Sequence, residues 1–406
     1  MLKTLRSVLQ FRPVELSAAE RRLSRAASVA DLRAISRRRL PRGVFDYIDG
    51  GAEDELTLRR NVDAFRRAEF RPRVLRDVSD IDTSATVLGR RLPLPLILAP
   101  TGFTRLASPG GELDVARAAA RSGLPFTLST MATRSIEEVA AVSSGTKWLQ
   151  VYVWRDRGLV KDMLSRAAEA GYEAIMITVD TAMLGRRERD VRRGFTMPPR
   201  LGPGTLLDGA LHPAWTWNFA RAEPITFANV AASAAPQGNA AVKLAEYTNS
   251  QFDPGLSWRD LDWFRAAWDG PILLKGIQTV EDAVLAADAG VSAVVLSNHG
   301  GRQLDGAPAI LELVQPVAEA VGDRVEVICD GGIRRGSDIV KAVALGATAC
   351  MTGRAILYGL GAAGERGVDH VLGLLAADVR RVMALAGQQR MSELEPGLIS
   401  WRQSPA

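Results

Sequence analysis

The sequence has 406 residues, of which 47% are apolar, 24% charged and 6% aromatic. This composition excludes a disordered chain, a collagen and a coiled coil, and it fits a globular protein. The net charge of +5 is unevenly spread: residues 1–42 carry 11 basic and 3 acidic side chains, so the other 364 residues sum to −3. A basic folded body with stacking aromatics, as nucleic-acid binding requires, is therefore not predicted.

The two cysteines, Cys329 and Cys350, predict neither a disulfide framework nor a metal site, because neither lies in a CxxC pair or near a histidine at ligand spacing. No apolar run reaches the roughly 18 residues that a membrane span needs. The first residues, MLKTLRSVLQFRPVEL, lack the apolar run and the cleavage site of a signal peptide. We expect a cytoplasmic protein, with a peripheral position at the inner face of the cell membrane as a second hypothesis.

We predict a basic arm in residues 1–27, one domain in residues 28–400 and a tail in residues 401–406. Residues 1–90 are expected to hold helices and, at their end, a hairpin that closes the bottom of the domain. After residue 90, short apolar segments recur, each followed by a helical pattern. They are LPLILAP (94–100), FTLST (126–130), KWLQVYV (147–153), AIMITVD (174–180), PILLKG (271–276), AVVLSNHGG (293–301), VEVICDGG (325–332) and TACMTGR (348–354).

Start and stop signals mark the helices between these strands. One helix is expected to begin at Ser108 and end before Gly123, and the next has a capping box from Ser135 to Glu138. Further helices that end at a glycine are predicted in residues 158–171, 279–290 and 336–346. Eight alternating units with near-continuous apolar strands predict an α/β fold, a (β/α)8 TIM barrel rather than an open doubly wound sheet.

Residues 193–257 form a long segment between strand 4 and helix 4 on the expected active face. Such a segment is usually a lid or a binding element. Within it, LHPAWTWNFARAEP places Trp215, Trp217 and Phe219 near Arg221. These aromatics either dip into a membrane interface or belong to a lid that packs on the barrel.

The carboxyl ends of the predicted strands carry a set of polar and glycine residues, where barrel enzymes hold their chemistry. Solvated loop starts account for part of this set, but a lysine, a histidine and an aspartate after apolar strands favour a functional site. The set comprises Thr101, Gly102, Ser129, Gln150, Tyr152, Thr178, Asp180, Lys275, Ser297, Asn298, His299, Asp330, Gly331, Gly332, Gly353 and Arg354.

Two glycine-rich turns, DGGIRRG (330–336) and TGR (352–354), follow the last two strands. Backbone N–H groups and a short helix bind phosphate at this place in barrels, with Arg334 or Arg354 able to neutralise the charge. The alternative is a pair of tight turns. GLGAAG (359–364) also matches GxGxxG, but it does not open a helix directly after a strand, so we interpret it as helix packing.

Three histidines occur in the chain, and His299 is the candidate general base. It lies in SNHGGRQLD with Arg302 three residues on, an arrangement suited to deprotonating a substrate whose carboxylate the arginine holds. Asp180 could orient the imidazole, and Arg187 could supply a second carboxylate contact. His212 and His370 are expected at the surface or in packing.

Several of these segments together resemble the FMN-dependent α-hydroxy-acid oxidase and dehydrogenase family. The motifs that carry the resemblance are DYIDGGAEDELTL, APTGF, LQVY, TVDTAMLGRRERD, LLKGI, SNHGGRQLD, DGGIRRG and GR. The resemblance covers about residues 28–400 and is nearest to bacterial L-lactate dehydrogenases. It implies an FMN cofactor, oxidation of an L-2-hydroxy acid such as L-lactate, transfer of electrons to a quinone, oxygen or another carrier, and a homotetramer.

The resemblance also implies roles for individual residues. Tyr47, Tyr152, Arg187 and Arg302 would bind the hydroxy acid, with His299 as base, Asp180 as its support, and Tyr152 and Arg302 also in the catalytic set. Around the isoalloxazine and ribityl chain it places Pro100, Thr101, Gly102, Ser129, Gln150, Thr178, Lys275 and Ser297. Around the phosphate end it places Asp330, Gly332, Arg334, Gly353 and Arg354. No metal is implied.

Two positions depart from parts of the family. Met131 stands where plant glycolate oxidases have tryptophan, so the size of the substrate side chain cannot be carried over. Gly102 stands where many oxidases have alanine. The resemblance associates glycine here with dehydrogenase or monooxygenase members, so it argues against a simple oxygen-using oxidase of glycolate, mandelate or a longer acid. Two other classes stay open from the sequence: a flavin-free barrel enzyme of a phosphorylated metabolite and a non-catalytic flavin-binding protein.

Overall fold

The computed structural model describes residue 15 and residues 17–193, 202–230 and 251–402. Its strands are β1 (Ala68–Phe70), β2 (Ala85–Val87), β3 (Arg90–Leu92), β4 (Leu96–Leu98), β5 (Phe126–Ser129), β6 (Lys147–Tyr152), β7 (Ala174–Thr178), β8 (Ile272–Ile277), β9 (Ala293–Ser297), β10 (Glu326–Asp330), β11 (Ala349–Thr352) and β12 (Ile399–Trp401). Strands β4 to β11 form a closed barrel, which confirms the predicted (β/α)8 fold.

The helices surround the barrel or cover its ends. They are α1 (Ala18–Leu23), α2 (Val29–Arg39), α3 (Arg42–Asp49), α4 (Leu56–Arg67), α5 (Glu112–Arg121), α6 (Ile136–Val142), α7 (Arg157–Glu169), α8 (Glu188–Arg192), α9 (Pro203–Ala210), α10 (Pro213–Arg221), α11 (Asp260–Ala267), α12 (Val280–Asp288), α13 (Ile310–Val321), α14 (Gly336–Ala344), α15 (Arg354–Ala363) and α16 (Glu365–Ala386). None of these helices is long and apolar enough to cross a membrane.

The barrel strands are nearly all buried, because helices cover their outer face and side chains fill their interior. All eight predicted strands are confirmed, although several are shorter than predicted. Strand β4 covers three residues instead of seven. Pro95 and Pro100 flank it, and since proline lacks an N–H group it cannot donate to a sheet ladder.

The predicted hairpin at the bottom of the barrel is confirmed. Strands β2 and β3 pair antiparallel, and Val87 and Leu92 join the apolar cluster inside the barrel, together with Trp148 and Ile97. The N-terminal and C-terminal segments also meet, because β1 pairs with β12. Trp401, placed in the tail by the sequence, is therefore the last residue of a strand.

Two local signals had different outcomes. The capping box is confirmed: Glu138 N donates to Ser135 Oγ at 3.1 Å and Ser135 N donates to Glu138 Oε2 at 2.7 Å. The start of the preceding helix was predicted wrongly, since α5 begins at Glu112 rather than Ser108. Gly111 lies directly before it with φ 53°, a left-handed conformation that cannot continue a helix from Ser108.

The GLGAAG segment lies within α15 and at its end, which confirms helix packing. A Cβ at Gly359 would lie 2.4 Å from the carbonyl oxygen of Gly367 in α16, so the two helices are in direct backbone contact there. Two arginines of the N-terminal region bond the last carbonyls of α15: Arg22 Nε to Ala362 at 3.1 Å and Arg39 Nε to Gly361 at 3.2 Å. Cations at this end of a helix are favourable to its dipole.

The long segment after strand β7 is described in part. Helices α9 and α10 lie within it, whereas residues 194–201 and 231–250 fall outside the described residues. Most of the predicted basic arm, residues 1–14 and 16, and the end of the tail, residues 403–406, also fall outside them.

Candidate active site

A cavity opens at the carboxyl ends of the barrel strands. The structure brings most of the predicted site residues to its wall. These are Tyr47, Pro100, Thr101, Gly102, Ser129, Gln150, Tyr152, Thr178, Arg187, Lys275, His299, Arg302, Asp330, Gly332, Arg334, Gly353 and Arg354. Two predicted residues, Asp180 and Ser297, do not line the cavity but lie directly behind it and contact residues that do.

His299 and Asp180 form a hydrogen-bonded pair, with His299 Nδ1 at 3.0 Å from Asp180 Oδ1. Burial lowers the pKa of His299 below its ordinary 6.5, and nearby Lys275 acts in the same direction, although Asp180 opposes the shift. Burial opposes ionisation of Asp180, but the charges of His299 and Lys275 outweigh it and hold the pKa of Asp180 below its usual range. The pair at rest is thus a neutral imidazole on an aspartate, with the Nδ1 proton donated to the carboxylate and Nε2 free to accept a proton.

The other two histidines lie away from the cavity. His370 Nε2 is 2.7 Å from the carbonyl oxygen of Ala26, and His212 Nδ1 is 2.7 Å from that of Asp208. Both positions are structural contacts, as expected from the sequence.

Tyr152 and two arginines face the same space as the imidazole. The Tyr152 hydroxyl is 3.4 Å from His299 Nε2, and burial together with Asp180 raises the pKa of Tyr152, so the hydroxyl stays protonated. Burial lowers the pKa of Arg302 to about 9, with Arg187 contributing, and the guanidinium remains charged at neutral pH. In the described part of the chain Arg187 Nε is buried without a hydrogen-bond partner, as expected of a group that meets a ligand.

Lys275 supplies a fixed positive charge in the cavity wall. Its Nζ lies 2.8 Å from Asp330 Oδ2 and 2.9 Å from Ser297 Oγ, and the side chain is 4% exposed. A second set of polar groups runs along three neighbouring strands: Ser129 Oγ donates to Gln150 Oε1 at 3.0 Å, and Gln150 Nε2 donates to Thr178 Oγ1 at 2.8 Å. These bonds fix the side chains before any ligand is bound.

The far end of the cavity is built for an anion. Helix α15 begins immediately after Gly353, so its first N–H groups point at this end. Arg334 lines the same end with its Nη1 on the carbonyl of Ile333 at 2.8 Å. Arg354 bonds the carbonyls of Ile48, Gly300 and Gly50, and it therefore also fixes the surrounding backbone.

Several site residues were not identified from the sequence. Phe103, Leu184 and Phe252 line the cavity as apolar walls, and single apolar residues in loops carry no distinguishing pattern. Gln303 clamps the loop after strand β7 by donating to the carbonyls of Asp180 and Met183, both at 2.9 Å. The sequence signal for Gln303 was its position directly after Arg302 in the SNHGGRQLD motif.

Another missed pair joins distant parts of the chain. Asn61 Nδ2 donates to Asn298 Oδ1 at 2.8 Å and Asn298 Nδ2 donates back to Asn61 Oδ1 at 3.0 Å. Both side chains are buried, and the pair attaches α4 to the loop that carries His299. Asn61 has no local signal in an otherwise ordinary amphipathic helix.

A family model described as FMN-dependent dehydrogenase matches residues 36–401. The chain belongs to the FMN-dependent dehydrogenase family. It is 46% identical over 396 residues to a protein of Mycobacterium tuberculosis (strain ATCC 25618 / H37Rv) provisionally named L-lactate dehydrogenase, covering 97% of this chain and 94% of that protein. It is 42% identical to "Glycolate oxidase 1" of Oryza sativa subsp. indica, covering 90% of this chain and 94% of that one.

Solved structures agree with this family. The crystal structure of the monotopic membrane protein (S)-mandelate dehydrogenase matches with a TM-score of 0.90 and 40% identity, covering 93% of this chain and all of that one, 100%. The cofactor of the family, and hence of this enzyme, is FMN. A flavin-free barrel enzyme is thereby excluded.

The residues present fit this cofactor. Lys275 is a buried cation in the cavity wall that could stabilise the negative charge a flavin gains on reduction. At the other end, the start of α15 and Arg334 suit a phosphate. Arg187 has a buried donor atom with no acceptor among the described protein groups.

Proposed function

We propose that this enzyme oxidises an L-2-hydroxy acid, with L-lactate to pyruvate as the main reaction. The observation that carries the proposal is that His299, two arginines and Lys275 line one cavity, with Asp180 bonded to His299 directly behind the wall. A base, a carboxylate clamp and a cation for a reduced flavin are the groups that this reaction needs. The relatives support it, being named for lactate, glycolate and mandelate.

In the proposed mechanism, Arg187 and Arg302 hold the substrate carboxylate and the Tyr152 hydroxyl donates to one of its oxygens. His299 Nε2 accepts a proton from the substrate, and Asp180 stabilises the imidazolium that results. Lys275 stabilises negative charge at the cofactor side of the cavity. Bound FMN supplies the acceptor for the two electrons that leave the substrate.

The side chain of the substrate would meet Phe103, Met131, Leu184 and Phe252. Phe103 and Met131 are held by neighbours, Phe103 in an edge contact with Phe227 at 4.8 Å between ring centroids and Met131 behind Gly102. Leu184 is 43% exposed and can move. This wall suits the methyl side chain of L-lactate. Whether it also accepts a larger apolar side chain is tested with L-mandelate below.

Anaerobic titration of the purified protein with L-lactate, glycolate and L-mandelate tests the proposal. L-lactate should bleach the flavin absorbance fully, glycolate and L-mandelate more slowly. Mixing the reduced enzyme with a quinone or with oxygen then identifies the acceptor, and we propose that the quinone is reduced faster. A flavin that none of the three acids bleaches would contradict the proposal.

We also propose peripheral contact with a membrane through α9 and α10. Trp215 packs inward, with its Nε1 donating to the carbonyl of Leu106 at 2.8 Å, as the lid hypothesis expected. Its neighbour Trp217 is 59% exposed, and three leucines of the same hairpin, Leu206, Leu207 and Leu211, are also exposed. The name of the mandelate dehydrogenase, a monotopic membrane protein, supports this proposal.

Co-sedimentation with anionic vesicles tests the membrane contact. The intact protein should bind, and a variant with Leu206, Leu207 and Leu211 changed to serine should not. No binding by the intact protein would end the proposal.

The expected homotetramer remains a proposal from the family resemblance, to be checked by light scattering of the same sample.

A further inference from the structure

A second cavity, which we call the side cavity, lies beneath α10 at the edge of the active face. Helix α10 forms its roof, since Trp215 stacks on Phe219 at 4.7 Å between ring centroids and both side chains line the space. The opposite wall is formed by Leu40, directly after α2, and by Leu360 of α15. The cavity is therefore apolar over most of its surface.

Two arginines bring hydrogen-bond donors into this apolar space. Arg105 is 6% exposed and bonds the carbonyls of Glu223 at 2.5 Å and Pro224 at 3.3 Å. Arg39 is half-buried and uses its Nε on the carbonyl of Gly361. Burial lowers the pKa of both arginines from its ordinary value, as expected for cations held away from solvent. In the described part of the chain, the hydrogen bonds of both side chains end on backbone carbonyls, not on carboxylates.

The donors of the side cavity suit a ligand with oxygen acceptors. Glu223 also borders the cavity, but its carboxylate is mostly exposed and pairs with Arg134 Nη1 at 2.9 Å. A flat molecule with carbonyl oxygens could accept from Arg39 and lie against the two stacked aromatic rings.

The side cavity shares a wall with the active cavity. Phe103 and Leu357 line the active cavity, whereas Arg105 and Leu360, two and three residues further along the same segments, line the side cavity. Three residues of helix rise by about 4.5 Å. The two cavities are therefore lined by neighbouring residues of the same two segments, which would bring an electron acceptor in the side cavity close to a cofactor in the active cavity.

We infer that the side cavity binds the head group of the quinone that reoxidises the enzyme. This inference rests on the proposed function, because the two electrons must first enter the flavin from the hydroxy acid. The reduced flavin gives up two electrons and one proton, and the quinone takes up two electrons and two protons, the second from solvent, to become a quinol. The exposed leucines of α9 and the exposed Trp217 of α10 place the roof of the cavity beside the proposed membrane surface, where a quinone would arrive.

Two variants and two matched controls test this site. Ala222 lines the side cavity, and Ala222→Trp should fill it, whereas Ala220→Trp adds the same bulk on the exposed face of α10. Arg39→Gln removes the charged donor, whereas Arg38→Gln changes an exposed neighbour on α2. Reduction of decylubiquinone by L-lactate should fall about tenfold or more in the first member of each pair, as loss of a charged hydrogen bond or of the binding space predicts.

Three further measurements make the outcome decisive. Anaerobic flavin reduction by L-lactate and turnover with ferricyanide should stay within about twofold in all four variants, since an acceptor site is separate from the substrate site. Decylubiquinone should quench the tryptophan fluorescence of the oxidised wild-type enzyme saturably, and Ala222→Trp should abolish the saturation. Wild-type rates of quinone reduction in Ala222→Trp would overturn the inference. Failure of L-lactate to bleach the wild-type flavin would instead refute the proposed function, and the quenching experiment would then decide the side cavity by itself.

Discussion

His299 adopts a left-handed backbone conformation with φ 57°, which residues with a side chain rarely adopt. Such a conformation costs on the order of 1–3 kcal/mol and persists where surrounding contacts determine it. Here His299 N donates to Ser297 Oγ at 3.1 Å, and the ring is held by Asp180. The imidazole is consequently in position before the substrate binds.

Replacing His299 with glutamine should slow anaerobic flavin reduction by roughly a hundred- to ten-thousand-fold, because the proton acceptor is lost. FMN should stay bound, since most of the proposed cofactor residues lie at the ends of other strands. The matched control is His370→Gln, whose ring contacts the carbonyl of Ala26 away from the cavity. Stopped-flow absorbance of the flavin measures both. Rapid full bleaching in His299→Gln would refute the assignment of the base.

Flavin reduction should depend on pH through the same histidine. The base must be neutral, so the rate should fall as pH drops through the pKa of His299, which lies below 6.5. In Asp180→Asn the imidazolium loses its neighbouring anion, which lowers the pKa of His299 further. The fall in rate at acidic pH should therefore begin at a lower pH than in the wild-type enzyme. The maximum rate should also drop about a hundredfold or more. A fall in rate that begins at a higher pH would contradict the role of Asp180 as an anionic partner.

At the scale of elements, helix α3 is fastened to the active face by a buried carboxylate. Asp49 is 5% exposed and accepts from Arg33 Nε at 2.5 Å, from Arg189 Nη1 at 3.0 Å and from the Tyr358 hydroxyl at 2.7 Å. Burial opposes ionisation, but these donors lower the pKa of Asp49 to about 2. The same helix carries Tyr47, so its attachment also positions a substrate residue.

Changing Asp49 to asparagine should lower the free energy of unfolding by roughly 2–3 kcal/mol, because Arg33 and Arg189 lose a charged partner but are themselves partly exposed. Asp46→Asn, at a more exposed position of the same helix, should cost less than about 1 kcal/mol. Urea unfolding measures both. The contribution of Asp49 is present above pH 3.8 and is lost as pH falls through about 2. Equal effects of the two variants would contradict the buried network.

At the scale of the whole molecule, the barrel and the position of the site could be predicted from the sequence because both depend on local signals. Apolar strands of similar length alternate with capped helices, and in a parallel barrel the carboxyl ends of all strands meet on one face. That geometry alone gathers residues as distant as Ser129 and Lys275. Ser297 and Asp180 were expected near the cofactor and base, and both lie one layer behind the wall.

The contacts that could not be predicted are those between segments far apart in the sequence. The Asn61–Asn298 pair, the attachment of Asp49 and the clamp by Gln303 each join a loop or helix to a partner more than 100 residues away. Single polar residues on amphipathic helices give no sign of such partners. The predicted start of α5 was wrong for a simpler reason. Ser108 and Pro109 are a helix-start signal, but Gly111 adopts a positive φ, so the helix begins only after it.

Removing FMN should destabilise the whole molecule, because a ligand that binds the folded state alone stabilises it by mass action. Adding FMN to the deflavinated protein at about one hundred times its Kd should restore about 2.7 kcal/mol. Riboflavin is the matched control: it lacks the phosphate that the start of α15 and Arg334 would hold, and it should stabilise less at the same concentration. Thermal unfolding followed by circular dichroism measures this. Equal stabilisation by the two compounds would refute the phosphate site.

Arg302 and Arg354 lie after two different barrel strands, yet both donate hydrogen bonds to the backbone at the end of α3. The acceptors are the carbonyls of Tyr47, Ile48 and Gly50. Tyr47 and Ile48 also line the cavity, so this segment, which the two arginines hold, would cover one side of a bound cofactor. If the segment must open before the cofactor leaves, we expect the rate of cofactor exchange to be set by local unfolding rather than by affinity. The enzyme would keep its flavin through repeated dilution, and acid strong enough to protonate Asp49 would release it.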